Sequence, residues 1–206
     1  MATKRQIVTE FRRREIVNAA RSIFAREGFA NGVMDDIAKE AKIAKGTLYL
    51  YFRSKKEVYR AVLDEDMETL KRTTIERIDA AQTLREKIKA FILTRFENAE
   101  AKREFFQIMD SEFGGASFTR SQYRSWLAEP VVHLAAAIGA ACESGEIRSV
   151  PAQEVAWMIA DMTRGIIQRR LLGERKPTVA EEAEMLVEFV WGAMENGPKA
   201  RRAIRG

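Results

Sequence analysis

Apolar residues recur at three- and four-residue spacing along most of the chain, which is the pattern of amphipathic α-helices. The first clear helical segment begins at Thr9 and is stopped by Gly28. Its apolar face consists of Ile16, Ala19, Ala20, Ile23 and Phe24. Residues 1–8 are basic and lack this period, so they are predicted to form a mobile arm. No stretch alternates apolar and polar residues as a half-buried strand does, and an all-α fold is therefore predicted.

The same spacing predicts two short helices joined by a tight turn between Met34 and Phe52. The first helix carries one apolar face, formed by Met34, Ile37, Ala38 and Ala41. In the second helix, Leu48 and Phe52 are four residues apart and are predicted to face inward. The other positions then point outward or lie on the flanks: Lys45, Gly46, Thr47, Tyr49 and Leu50.

The chemistry of this outward face fits the major groove of DNA. The Thr47 hydroxyl is able to hydrogen-bond a base edge or a phosphate, and Leu50 offers an apolar contact to a thymine methyl group. Gly46 costs about 1 kcal/mol relative to Ala inside a helix. We infer that a glycine is kept here despite this cost because its missing side chain permits a close approach, either to a neighbouring helix or to a phosphate.

A third helix is predicted to begin directly after this pair. Ser54 followed by Glu57 forms a capping box, and the exposed N–H groups with Lys55 beside them form a predicted phosphate clamp. The apolar period then continues to Leu70. This helix would connect the DNA-binding part to the rest of the chain.

Residues Gly28–Leu63 resemble the DNA-binding head of the tetracycline-repressor (TetR) family of transcriptional regulators. The matching pieces are Ile37-Ala38, Lys45-Gly46-Thr47-Leu48-Tyr49, Tyr51-Phe52 and Ser54-Lys55. The resemblance is close over about the first 65 residues. It implies a three-helix helix-turn-helix domain at residues 1–53, followed by a helical ligand-binding and dimerisation domain at residues 54–206. The implied DNA-binding residues are Lys45, Gly46, Thr47, Tyr49, Leu50, Tyr51 and Lys55.

Three positions depart from the usual pattern of the family. Val33 and Ala44 stand where hydroxyl side chains usually cap the two short helices, and Lys42 stands where Gly is usual in the turn. Losing a cap typically costs about 1 kcal/mol of local stability. Lys42 is either a replacement phosphate ligand or a solvated side chain. The expectation is the same docking on DNA with weaker local capping.

Composition and charge agree with a soluble DNA-binding protein. The chain has 206 residues, of which 46% are apolar and 32% charged, and no apolar run approaches the ~20 residues of a membrane span. There is no signal-peptide pattern, and the single Cys142 excludes an intramolecular disulfide, so a cytoplasmic location is expected. Residues 1–60 carry a net charge of +7, whereas the other 146 residues carry −2. A basic head on a near-neutral body is typical of a module that meets a polyanion.

The body is predicted to add further helices, for a total of about nine. The first begins at Thr83, and its predicted inward face consists of Leu84, Ile88, Phe91, Ile92 and Phe96. The others are Glu104–Phe113, Thr119–Ser144, Ala152–Leu172 and a last helix from Thr178 to about Met194. Pro130 should kink or split the third of these helices, because it removes a backbone donor.

The last two helices are the predicted dimer interface, through Ile159, Ile166, Leu186, Phe189 and Val190. The alternative is that these faces are used within one subunit's core. Aromatic and sulfur-containing residues in the body form a predicted ligand pocket, or else plain core: Phe91, Phe105, Met109, Trp126, His133, Met158 and Met162. For His133 the competing interpretation is a satisfied, partly buried side chain.

Motifs for catalysis are missing. The sequence lacks a nucleophile elbow, a Walker A loop, a Gly-rich dinucleotide turn and a His/Cys cluster, so neither a cofactor nor a metal is expected. The sequence therefore predicts a homodimeric repressor that binds a palindromic operator in double-stranded DNA. A small apolar or amphipathic effector would release it. The alternatives are a ligand-independent DNA-binding or architectural protein and, remotely, an enzyme.

Overall fold

The computed structural model describes residues 3–103, 116–171, 173 and 177–195. Eight α-helices lie in this part of the chain, and its only bridge pairing is the isolated contact between Ile147 and Glu195. The helices are α1 (Lys4–Asn31), α2 (Met34–Glu40), α3 (Lys45–Tyr51), α4 (Lys55–Ala80), α5 (Leu84–Ala101), α6 (Ala116–Glu143), α7 (Ala152–Leu171) and α8 (Val179–Met194). The predicted all-α fold is confirmed. The predicted helix Glu104–Phe113 lies outside the described residues.

Residues 4–8 of the predicted mobile arm are helical, which corrects the prediction for this part of residues 1–8. The Thr3 hydroxyl caps α1 by accepting a hydrogen bond from the backbone N–H of Gln6, and the Thr3 backbone N–H donates in turn to the Gln6 side-chain oxygen. This reciprocal capping starts the helix at Lys4, well before the apolar period begins. At the other end, Gly28 takes a positive φ of 76° and breaks the helix, and one more turn follows to Asn31.

The chain divides into two compact units, Met1–Glu68 and Thr69–Gly206. Unit 1 has its own core, in which the rings of Phe24, Phe29 and Tyr59 lie 4.7–5.7 Å apart between centroids. The predicted domain boundary between residues 53 and 54 coincides with the start of α4, and it stays a prediction.

Unit 2 is a helical bundle built around α5 to α8. The predicted inward face of α5 is confirmed, since all five of its members are buried: Leu84, Ile88, Phe91, Ile92 and Phe96. Thr83 and Glu86 form a capping box that begins this helix. Helix α6 runs continuously through Pro130, so the helix is not split there, and the alternative of a kink stays a prediction.

One segment among the described residues, Arg124–Glu143 in α6, has the length and apolar composition of a membrane span. This corrects the expectation that no run approaches that length. The segment is apolar because one side of it fills the unit 2 core, where Val131, Leu134 and Ile138 are fully buried. A core helix of a globular domain can have the same length and apolar composition.

A buried ion cluster joins α7 to α8 inside unit 2. The Arg170 guanidinium donates to Glu182 at 2.6 Å and to the backbone carbonyl of Pro177 at 3.0 Å. It also reaches Glu100 on α5 at 3.2 Å. The side chains of Arg170 and Glu182 are only 8% and 4% exposed. Removing one partner of such a pair leaves an uncompensated charge in the core, which makes the cluster a point of fragility.

We expect Glu182→Ala to lower the free energy of unfolding by about 3 kcal/mol, because Arg170 then stays buried without its main counter-charge. Urea denaturation followed by circular dichroism measures the loss. The matched control is Glu184→Ala on the same helix, where Glu184 pairs with Arg85 and Lys89 at the surface. That change should cost no more than about 1 kcal/mol. Equal losses in the two variants would show that the cluster is not a special element of stability.

Candidate nucleic-acid interface

Helix α3 is held against unit 1 by the residues predicted to face inward. Leu48 and Phe52 are fully buried, and so is Ile37 on α2. The Phe52 ring also lies under the Arg13 guanidinium of α1, 4.3 Å from its carbon to the ring centroid. With one side of α3 anchored in this way, the direction of every other side chain on it follows from helical geometry.

The opposite side of α3 faces solvent. Leu50 is 84% exposed and Tyr49 is 43% exposed, while Thr47 and Tyr51 are half-buried. A Cβ atom built at Gly46 would meet no atom of the described residues within 4 Å. A neighbouring helix therefore does not require this glycine. Of the two explanations for Gly46, the close approach of an external partner is the one that is left.

The turn between α2 and α3 shows how the departures at Lys42, Val33 and Ala44 are accommodated. Lys42 adopts a φ of +55°, the left-handed region that Gly enters at no steric cost. Neither Val33 nor Ala44 makes a side-chain capping bond. Carboxylates occupy the first turn of α2 instead, and their charge favours that end of the helix dipole.

One of these carboxylates forms an ion pair across to α3. Asp35 contacts Lys45 with a 2.7 Å distance between Oδ1 and Nζ, and both side chains are more than half exposed. The hydrogen bond that Lys45 donates to the Asp35 carboxylate, and then the charge of that carboxylate, raise the pKa of Lys45 above its ordinary value. Lys45 therefore remains charged through the neutral range. The sequence interpretation missed this partner, because the pairing depends on the angle between two helices.

Lys55 is engaged within unit 1. Its ammonium donates to the backbone carbonyl oxygens of Phe29 at 2.7 Å and Ala30 at 3.0 Å. It also lies 4.6 Å from the centroid of the Phe29 ring. The N-terminus of α4 is capped by the Ser54 hydroxyl, which accepts a bond from the backbone N–H of Glu57. Besides the predicted phosphate contact, Lys55 thus fastens the end of α1 to the start of α4.

Comparison with known proteins identifies the region that contains α2 and α3. Residues 16–62 match the family model described as bacterial regulatory proteins, tetR family. An uncharacterised HTH-type transcriptional regulator, YfiR of Bacillus subtilis, is 25% identical over 193 residues, which cover 89% of this chain and 94% of that protein. Residues 16–62 thus belong to the tetR family of bacterial regulatory proteins.

Two further likenesses concern regulators of fatty acid metabolism. The fatty acid metabolism regulator protein of Bacillus subtilis is 32% identical over 82 residues, covering 40% of this chain and 42% of that protein. The crystal structure of the regulator FadR from Bacillus subtilis in complex with stearoyl-CoA superimposes with a TM-score of 0.67. The identity is 21%, over 85% of this chain and 96% of that one, so this match shows the fold. The match of residues 16–62 and the likeness to YfiR over nearly the whole chain make the protein a DNA-binding transcriptional regulator.

The predicted ligand residues lie in different surroundings in unit 2. Phe91 is fully buried, Trp126 and Met162 are half-buried, and Met158 is 60% exposed. The His133 ring nitrogen Nδ1 lies 3.3 Å from the Asp79 carboxylate. This contact agrees with the alternative of a satisfied, partly buried histidine. Phe105 and Met109 lie outside the described residues.

The predicted dimer residues also differ from one another in burial. Ile159, Leu186 and Val190 are buried in the unit 2 core of their own subunit, so their side chains are not available to a partner. Sequence periodicity located the apolar face of each helix but did not show which apolar positions the subunit itself covers. Ile166 is half-buried, and Phe189 is 67% exposed.

We expect Lys55→Met to lower the free energy of unfolding by about 1–2 kcal/mol, because two carbonyl oxygens at the end of α1 lose a charged donor. Thermal denaturation of the full chain measures this loss. Lys39→Met is the control, since Lys39 forms only an exposed pair with Asp36 and should change stability by less than about 0.5 kcal/mol.

Salt titration of DNA binding then tests the predicted phosphate contact of Lys55 separately. If the ammonium also neutralises a phosphate, Lys55→Met lowers the slope of log K against log salt concentration by about 1. A slope equal to that of the wild type would remove Lys55 from the phosphate contacts and leave it a positioning role.

Proposed function

We propose that this regulator is a cytoplasmic, homodimeric repressor. Its two α3 helices enter the major groove of a palindromic operator, and a small apolar or amphipathic effector bound in unit 2 releases it. The observation that carries the DNA-binding part is the outward face of α3, where Leu50 is 84% exposed on a helix whose other side is fully buried. An apolar side chain this exposed, next to Thr47 and Tyr49, suits direct reading of base edges and thymine methyl groups.

A stripe of small and apolar side chains supports dimer formation. On α8, Met185, Phe189 and Gly192 follow at i, i+4 and i+7, and the two side chains are more than half exposed. On α7, Met158 and Gly165 are seven residues apart on the exposed side. These positions, with Ile166, replace Ile159, Leu186 and Val190 as the proposed interface.

The two glycines strengthen this proposal. A Cβ at Gly165 or Gly192 would meet no described atom within 4 Å, and each glycine costs about 1 kcal/mol in a helix interior. Small residues on exposed helix faces allow the helices of a second subunit to approach closely. Two heads related by a twofold axis would read two half-sites about one helical turn apart.

Polar groups in the interior of unit 2 support an amphipathic effector. Arg95 is 95% buried, with its guanidinium 5.2 Å from the centroid of the Phe91 ring. One helical turn later, the buried Nδ2 amide of Asn98 has no hydrogen-bond partner within the part of the chain that is described. A carbonyl or carboxylate oxygen would satisfy this amide, beside a buried positive charge. FadR, which binds stearoyl-CoA, makes long-chain fatty acids and their CoA thioesters the first effectors to test.

Release of the operator requires a difference in affinity. An effector dissociates the complex only if it binds the released conformation more tightly than the DNA-bound one, and by linkage DNA weakens effector binding by the same factor.

Selection of bound duplexes from a random DNA pool, repeated with fatty acids and acyl-CoA thioesters, tests the proposal. We expect enrichment of one palindrome and its release by an amphipathic acid. Enrichment without release by any compound would favour the ligand-independent alternative, and no enrichment would contradict DNA reading altogether.

Thr47→Ala and Tyr49→Ala test the contact surface. Each change should weaken binding of the selected palindrome by roughly 5- to 100-fold, the range of a lost base contact, with an unchanged circular dichroism spectrum. Val132→Ala, at an exposed position of α6, is the control and should bind as the wild type does. Unaltered affinity in both α3 variants, measured by gel shift, would remove these residues from the interface.

The dimer is tested by Phe189→Asp, which places a charge in the proposed apolar interface. Sedimentation at micromolar concentration should give a dimer for the wild type and mainly monomer for the variant. Val132→Asp carries the same charge change on α6 and should stay dimeric. A monomeric wild type would overturn the proposed interface.

A further inference from the structure

We propose that Asp35 restrains Lys45 and thereby sharpens the choice of DNA sequence by the head. The ion pair between α2 and α3, with its 2.7 Å contact, lowers affinity for arbitrary DNA more than affinity for the operator. The proposal names a specificity-determining residue outside α3, and it rests on the proposed function of the α3 surface.

The position of the pair places it at the DNA surface. Lys45 is the first residue of α3, and the N-terminal residues of a recognition helix are the ones that meet base edges. The side chains of Lys45 and Asp35 are 58% and 52% exposed, so the pair stands in solvent and not in the core. Ion pairs exposed to this degree are weak enough to be displaced by a better partner.

The energetic argument concerns which kind of DNA contact the pair weakens. Binding to arbitrary DNA comes almost entirely from lysine and arginine neutralising phosphates. Lys45 paired with Asp35 carries no net charge into the complex. Contacts of Thr47 and Leu50 with base edges do not depend on this charge. The pair therefore penalises sites that offer phosphates only, and discrimination rises because the wrong sites bind less well.

A structural role for Asp35 makes a different prediction. A carboxylate in the first turn of α2 favours the helix dipole where Val33 provides no cap. Asp36 lies in the same turn with the same charge, but its partner is Lys39 of α2 itself, at 3.1 Å. If the effect of Asp35 were only on α2 or on total charge, Asp36→Asn would reproduce it.

The test measures binding of full-length Asp35→Asn to a random-sequence duplex by fluorescence anisotropy between 50 and 200 mM salt. Freeing Lys45 for one phosphate should steepen the salt slope by about 0.9 per head, an additional loss of about 3.5-fold per head across that range. Affinity for the random duplex at 50 mM salt should rise more than affinity for the selected palindrome, so that the specificity ratio falls. Asp36→Asn should leave the slope and the ratio unchanged.

A double-variant cycle shows whether the effect passes through Lys45. In a Lys45→Gln background, Asp35→Asn should no longer alter the slope. The proposal is overturned if Asp35→Asn has the wild-type slope, if both duplexes gain equally, if Asp36→Asn behaves alike, or if the effect persists without Lys45. Thermal denaturation of each variant verifies that α2 remains folded. A wild-type protein that binds no duplex at all would instead overturn the proposed function.

Discussion

Burial of Leu48 and Phe52 is the constraint on which the proposed DNA-binding surface depends. Because α3 has only seven residues, these two side chains set its rotation about its own axis. Gly46, Thr47 and Leu50 can then point only away from unit 1. The same anchoring explains why an apolar Leu50 tolerates exposure, since the helix is held by its other side. What this surface offers to DNA is thus a consequence of core packing.

The head replaces missing caps with charges, and the replacement affects function. Val33 leaves the start of α2 without a side-chain cap, and carboxylates in the first turn stabilise that end instead. One of them, Asp35, also reaches Lys45 on α3. The carboxylate that stabilises the start of α2 therefore also places a negative charge next to α3. Stability and sequence discrimination become linked through a single side chain.

In unit 2, likewise, the residues buried in the core determine which residues of α7 and α8 remain at the surface. Helices α7 and α8 use Ile159 and Val190 to complete the subunit's core, and the pair Arg170–Glu182 ties the end of one helix to the start of the other. Phe189 and the glycines stay at the surface, where another subunit would cover them. Inside, Arg95 lies over the Phe91 ring and the Nδ2 amide of Asn98 is buried, and both are the polar groups on which the proposed effector site is based.

Local information in the sequence determined the helices, the inward face of α5 and the outward face of α3, because helical period and capping act over three to four residues. It failed at the start of α1, where the Thr3 capping box acts without an apolar period, and it left open a split at Pro130 that the structure does not show. Only the tertiary structure decided which apolar residues of α7 and α8 are already covered, and that Lys45 meets Asp35 while Lys55 meets two carbonyl oxygens. Those outcomes depend on how helices distant in the chain pack together, and no local period encodes that geometry.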